Sequence, residues 1–330
     1  MRSILVFEYI TGGGLIGQAL PLSLLTEGQL MLDALLHNLR QLPQLSLSVL
    51  LDGRAAYLVN SQGATAIIIN DKNYLLTFTK LVLSHDAAWI IAPENDNILA
   101  NLCAIVTDLH KTLLTSPRAA VALAADKLAT YQRLKQYNIA TVSTQLLTEI
   151  GSDLDFLYHE WVIKPIDGVG CEQTFIIRNL PQLINLNLPA DKFIIQPHIE
   201  GKKTSLSCLC NRGQGWLICI NEQFFDTSAD CYKLTAISVN SIDKTLYYQR
   251  LLTKIAHAFP QLWGYVGIDL IETKQAVFVL EINPRLTSSF AGIEQALGIN
   301  IAEQVLLLTE NKVPLLRAKQ HKTVLINLTP

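Results

Sequence analysis

The chain has 330 residues, with 26 lysines and arginines against 28 aspartates and glutamates. A net charge of −2 excludes nucleic-acid binding by massed positive charge. Half of the residues are apolar and 16% are charged, against about 25% charged in an average soluble domain, which excludes disorder and suits about two domains.

Mean hydropathy is positive, yet no window of about 18 residues is wholly apolar. The most apolar stretch, Leu15 to Leu36, carries Gln18, Glu27, Gln29 and Asp33. The N-terminal run breaks at Glu8, too short and too soon charged for a signal peptide. A cytoplasmic protein with neither membrane nor nucleic-acid partners is expected.

Ser3 to Tyr9 is a β-rich apolar run closed by Gly12, Gly13 and Gly14. Leu22, Leu25, Leu32, Leu35, Leu36 and Leu39 recur at three- and four-residue steps and predict a helix. Strands follow at 46–51, 65–69 and 87–92, and a helix at 97–109. Strands alternating with helices imply parallel βαβ units, so residues 1–112 read as a Rossmann-like domain. Gly12, Gly14 and Gly17 match the bare spacing of a dinucleotide fingerprint. Its acid is unconvincing, because Asp33 falls inside a helix rather than at the end of a second strand. The other readings are a loop over the sheet that touches a substrate and a purely structural turn.

Ser116 and Pro117 open a second helical region, Ser as N-cap and Pro as the first helical residue. Asp126 is placed to cap a further helix from Lys127. From Thr141 the chain turns strand-like. Residues 161–177 read as strand, glycine-containing loop and strand, 193–210 as strand, connector and strand, and 216–221 as another strand. A helix is predicted at 246–259, a hairpin at 263–273 and 276–284, and a last helix at 291–309. The cysteines are Cys103, Cys171, Cys208, Cys210, Cys219 and Cys231, with no C-x-x-C pair. Cys208 and Cys210 share one strand face. Reduced structural thiols are expected rather than a metal site.

Several residues suggest chemistry. Lys127 starts a helix, and Lys164 ends a strand just before Pro165, Asp167, Gly168 and Gly170. An ammonium beside a glycine loop grips phosphate, because glycines let backbone N–H groups approach the oxygens. Taken singly, either lysine also reads as a solvated surface group. Gln196, Pro197, His198 and Ile199 extend from a buried strand toward Glu200. Such a segment can meet an adenine edge and ribose hydroxyls, or be a plain strand connection. Glu281 and Asn283 are two apart on a strand and point to one face. Asp269 lies on the preceding strand and can converge with them. Two carboxylates and a carboxamide form a hard-oxygen site suited to Mg²⁺ bridging nucleotide phosphates. Acids among Ile268, Leu270, Val279, Leu280 and Ile282 are costly without a cation. Arg285 is placed to hold a carboxylate or phosphate through two N–H groups.

The order DK, KP before a glycine loop, QPHIEG, G-x-D and EINPR resembles the ATP-grasp superfamily over about residues 115–300. The strings VFEYITGGG, KPIDGVGCE and EINPRLTSS look most like tyramine–glutamate ligases of methanofuran-type cofactor biosynthesis. The resemblance implies an α/β protein, α+β in its C-terminal part. A Rossmann-like pre-ATP-grasp domain (1–112) would precede an ATP-grasp domain (113–330). The latter would hold a mobile lid at about 128–195 and a metal and acceptor half at about 196–330.

It further implies that Lys127 and Lys164 contact the ATP phosphates and that Gly168 and Gly170 sit in the loop over them. Gln196, Pro197, His198 and Ile199 would form the adenine hinge, and Glu200 would bind ribose. Asp269, Glu281 and Asn283 would ligate one or two Mg²⁺, for which Mn²⁺ can substitute. Lys164 would act at the transferred phosphate, and Arg285 at that phosphate or at the acceptor carboxylate. Gly12, Gly13, Gly14, Thr287 and Ser288 would line the acceptor pocket. The implied reaction joins a carboxylate to an amine through an acyl phosphate, specifically L-glutamate to tyramine or tyrosine. A homodimer is compatible with the family. The loop after Lys164 departs from the usual pattern, with Cys171 and Glu172 where relatives often have glycine. The alternatives are another amino-acid or peptide ligase, a catalytically silent nucleotide-binding protein, and a nicotinamide dehydrogenase.

Overall fold

A computed structural model describes residues 2–149, 160–168, 173–228, 232–243 and 245–328. Gly170, Cys171, Glu172 and Cys231 lie outside the described residues. The first region runs β1 (Arg2–Glu8), α1 (Leu22–Arg40), β2 (Leu45–Asp52), β3 (Thr65–Ile69), α2 (Tyr74–Ser84), β4 (Ala87–Ile91), α3 (Ile98–Asp108) and β5 (Thr112–Leu113). Its sheet is parallel throughout, in the order β3-β2-β1-β4-β5. Ile4, Leu5, Val6 and Phe7 of β1 are all fully buried, as a parallel strand covered on both faces must be.

Two helices follow, α4 (Arg118–Ala125) and α5 (Lys127–Gln136). Asp126 caps α5, its side chain accepting from the Ala129 N–H at 2.9 Å, as expected. Next come β6 (Gln145–Leu146), β7 (Trp161–Pro165), β8 (Phe175–Ile177), α6 (Leu180–Asn185) and β9 (Phe193–Pro197). They form an antiparallel sheet in the order β6-β9-β7-β8.

The last region holds β10 (Lys202–Asn211), β11 (Gln214–Asp226), β12 (Lys233–Ile242), α7 (Leu246–Ala258), β13 (Gly264–Glu272), β14 (Val277–Asn283), α8 (Phe290–Leu297), α9 (Ile301–Thr309) and β15 (Val324–Asn327). Its antiparallel sheet runs β14-β13-β10-β11-β12-β15. Leu206, Cys208 and Cys210 of β10 face one core with α7, and Leu209 faces the other. The architecture is the α/β-then-antiparallel arrangement expected.

The core crosses the regions. Leu32, Leu36 and Leu39 of α1 pack in one apolar cluster with Phe290, Ile293, Ile301 and Val305 of α8 and α9. Each such buried side chain contributes about 1.5–3 kcal/mol. Buried Asn38 pins the same contact, donating to Glu294 Oε2 at 2.7 Å and accepting from the Ile301 N–H at 3.1 Å.

Two local expectations are corrected. Ser116 does not cap α4. Its hydroxyl donates to the Trp263 carbonyl and accepts from the Trp263 N–H, so Pro117 takes the N-cap position. The predicted helix at 291–309 is two helices. Gly298 adopts φ +66° and ends α8, and the Asn300 side chain caps α9 by accepting from the Glu303 N–H.

Candidate active site

The antiparallel pairing of β13 with β14 sets the centre. Register places Asp269 opposite Glu281 and Gly267 opposite Asn283. Asn283 Nδ2 donates to Asp269 Oδ2 at 3.0 Å, which leaves its carbonyl oxygen as an acceptor. Gln223 Nε2, from β11, donates to Asp269 Oδ1 at 3.0 Å. Burial, and after it the Glu281 carboxylate, push the Asp269 carboxyl up to about 6 against these two hydrogen bonds.

Lys127 begins α5 and is buried against this pair. Its Nζ lies 3.7 Å from Glu281 Oε1 and donates to the Gly168 carbonyl at 2.5 Å. The Lys127 N–H bonds the Ile166 carbonyl, which ties the helix start to the chain that leaves β7. Lys164 lies on β7, between β8 and β9. Lys127, Lys164, Gln223, Asp269 and Glu281 line one cleft that is open to solvent, the usual form of a ligand site. Val142, Val162, Ile271 and Leu280 supply apolar walls.

Gln196, Pro197, His198 and Ile199 line the same cleft. The Gln196 side chain is turned away to Thr144, donating to Oγ1 at 2.7 Å. His198 sits in a chain of contacts, Nδ1 at 2.8 Å from Glu160 Oε2 and Nε2 at 2.7 Å from the Tyr232 hydroxyl. Arg178 chiefly holds Glu160 below the usual carboxylate range. Glu200 is exposed and is not part of the cleft wall. Lys203, Gln223, Phe225 and Tyr232 line it instead, and none of these was expected from the sequence. Tyr232 and Phe225 stand edge to face, with ring centroids 5.7 Å apart.

Arg285 lies beyond β14 and reaches the first region. Its Nη2 donates to Glu94 Oε2 at 2.9 Å and its Nη1 to the Leu286 carbonyl at 3.0 Å. Ser288 is buried and its Oγ donates to Glu27 Oε2 at 3.4 Å. Thr287 packs beside Gly267 and lies 3.2 Å from the Tyr265 hydroxyl.

Gly12, Gly13 and Gly14 form a packed turn outside the cleft. Glu8, at the end of β1, accepts from the Ile10 N–H, the Thr11 N–H and Thr11 Oγ1. A Cβ on Gly12 would lie 2.4 Å from the Glu8 carbonyl, and one on Gly14 2.4 Å from the Tyr9 ring. The dinucleotide reading fails here, because α1 begins only at Leu22 instead of directly after Gly17.

The residues present fit a hard divalent ion. Two facing carboxylates, one raised by burial and by its neighbour, carry charge that a cation would relieve. Among the described residues no three His, Cys, Asp or Glu side chains gather as a metal cluster, so the third protein oxygen would be that of Asn283.

Family comparison agrees with this geometry. Residues 124–289 match the ATP-grasp domain and residues 45–121 the pre ATP-grasp 3 domain. A tyramine–L-glutamate ligase from Methanocaldococcus fervens is 26% identical over 293 residues, which cover 88% of this chain and 89% of that protein. Among solved structures, an ATP-grasp superfamily protein from Archaeoglobus fulgidus superposes with TM-score 0.74 at 20% identity, covering 99% of this chain and 92% of the other. The N5-carboxyaminoimidazole synthetase from Staphylococcus aureus, complexed with ADP, gives TM-score 0.71 at 16% identity, with 98% and 81% covered. With a parallel-sheet domain leading into two antiparallel sheets around a cleft of lysines and paired acids, the chain belongs to the ATP-grasp family of ligases.

Proposed function

We propose that the chain joins the side-chain carboxylate of L-glutamate to the amine of tyramine or tyrosine, with ATP converted to ADP and phosphate. The observation that supports this most is the convergence of Lys127, Lys164, Asp269 and Glu281 on one cleft. The 26% identical ligase supplies the substrate class.

A free carboxylate does not react with an amine at neutral pH, because its leaving group would be oxide. Transfer of the γ-phosphoryl group to a carboxylate oxygen gives an acyl phosphate and ADP. The neutral amine then attacks the carbonyl carbon, the C–O bond to phosphate breaks, and the amine proton is released. The protein's part is to position the reactants and neutralise charge. Lys127 and Lys164 would bind phosphate oxygens, and Lys127 would exchange the Gly168 carbonyl for one of them. Asp269, Glu281 and Asn283 would hold Mg²⁺, which when bound offsets the charge of the phosphates. Arg285, which donates to Glu94, would bind a carboxylate of the glutamate. The chain after Lys164 would shield the acyl phosphate from water.

The test is ADP release from ATP and Mg²⁺ with L-glutamate, with and without tyramine or tyrosine, followed by mass spectrometry. Release that needs both substrates, with a product mass equal to their sum less water, is expected. No turnover, with heat stability raised by ATP, would reject this substrate pair. No effect of ATP on stability would reject the nucleotide site as well.

A further inference from the structure

Arg285 sits among more carboxylates than the metal site needs. Glu94, Glu281 and Glu27 act on its guanidinium, and Glu8 and Asp269 feel it in turn. Asp269 and Glu281 belong to the proposed metal pair. Glu8 is engaged by three hydrogen bonds within the glycine turn. Of the others, Glu94 bonds the guanidinium directly, and Glu27 accepts from Ser288 Oγ.

Glu94 is the informative one. It is only 4% exposed. Its Oε2 accepts from Arg285, whereas its Oε1 is buried with no hydrogen-bond partner. Arg285 Nε is also buried without a partner. An acceptor and a donor left unsatisfied on the two members of one ion pair are costly in isolation. Together they are complementary to a ligand that offers both a cation and an anion. The turn bearing Glu94 is built for a fixed placement. Asp96 and Asn97 hold φ of 53° and 58° in succession, and the Asp96 N–H donates to Asp167 Oδ2 at 3.0 Å.

We propose that Glu94 and Arg285 form a subsite for the head group of an α-amino acid, the ammonium on Glu94 and the α-carboxylate on Arg285. This rests on the ligase reading above and deepens it. It places the zwitterionic end of L-glutamate at the junction of the two domains and leaves its side-chain carboxylate to be activated. Specificity for an amino acid over a simple dicarboxylate then comes from the N-terminal domain.

Isothermal titration calorimetry with MgADP present tests the assignment on wild type and Glu94→Gln, using L-glutamate, glutarate, 4-aminobutyrate and tyramine as probes. Wild type is expected to bind L-glutamate at least about tenfold more tightly than glutarate, which lacks the ammonium. Glu94→Gln is expected to weaken L-glutamate and 4-aminobutyrate about tenfold and to change glutarate less than twofold. Equal weakening of L-glutamate and glutarate would mean that Glu94 only positions Arg285, and would overturn the proposal. Weakening of tyramine alone would assign the ammonium to the acceptor amine and overturn it too. If Glu94→Gln does not fold, equal wild-type affinity for L-glutamate and glutarate overturns it. The ligase reading fails separately, on absence of ADP release from wild type.

Discussion

Replacing Asp269 by asparagine is expected to stabilise the metal-free protein and inactivate the enzyme. Burial, and secondarily Glu281, push the Asp269 carboxyl from its ordinary 3.8 up to about 6. The folded protein therefore holds this proton more tightly than the unfolded chain. The group's full stability is present below pH 3.8 and is lost as pH rises through about 6. About two pH units at ~1.4 kcal/mol each set a ceiling of roughly 3 kcal/mol on the penalty at pH 7.5. Asparagine carries no charge but can accept from only one of Asn283 and Gln223, and the mismatched donor returns about 1 kcal/mol. Solvent screening at this half-buried site trims the remainder. The net gain is about 1–2 kcal/mol, or a Tm rise of roughly 2–6 °C. Differential scanning fluorimetry in EDTA at pH 7.5 and pH 5 reads it. The gap between variant and wild type should narrow by about half at pH 5, where Asp269 is largely protonated. A lower Tm for Asp269→Asn at pH 7.5, a gap that widens at pH 5, or retained turnover with Mg²⁺ refutes the account.

Glu281→Ala should cost at least about a thousandfold in turnover while circular dichroism stays that of wild type. Activity near that of wild type would remove Glu281 from the metal site. Gly12→Ala drives a Cβ against the Glu8 carbonyl and should lower stability by about 1–3 kcal/mol, read from a urea melt; an unchanged midpoint would mean that the turn has room. Cys171→Ser should keep most of its activity, since the proposed chemistry uses no thiol, and a dead enzyme would reveal one.

Features that depend on near neighbours in sequence could be read directly. Asp126 caps the helix that follows it because cap and N–H donor lie three residues apart. Ser116 has the same local look, but its hydroxyl is claimed by Trp263, 147 residues away. Gly298 interrupts the apolar pattern at 291–309, and that glycine was the available sign of two helices. Helix α2 escaped notice because Leu75, Leu76 and Leu83 are exposed and blur its period. Strand β15 exists only through pairing with β12, from far along the chain. In the site, Lys127, Lys164, Asp269 and Glu281 stand out by order and spacing. Glu27 and Glu94 do not, since each is an ordinary surface acid until the fold brings it to Ser288 and Arg285.

The apolar cluster shared by α1, α8 and α9 has a consequence during synthesis. The leucine stripe of α1 ends at Leu39; β1, β2 and β4 supply part of its cover, and the rest, from α8 and α9, begins at Phe290. About 250 residues separate them, which at roughly 5–20 residues per second is some 12–50 s of translation. Over that interval the part of the α1 face that α8 and α9 cover stays exposed on the nascent chain. The N-terminal sheet can assemble on the ribosome, but its outer helix stays partly unsealed until α8 and α9 emerge. Chaperone occupancy on this chain is therefore expected to concentrate on α1 and to be relieved late.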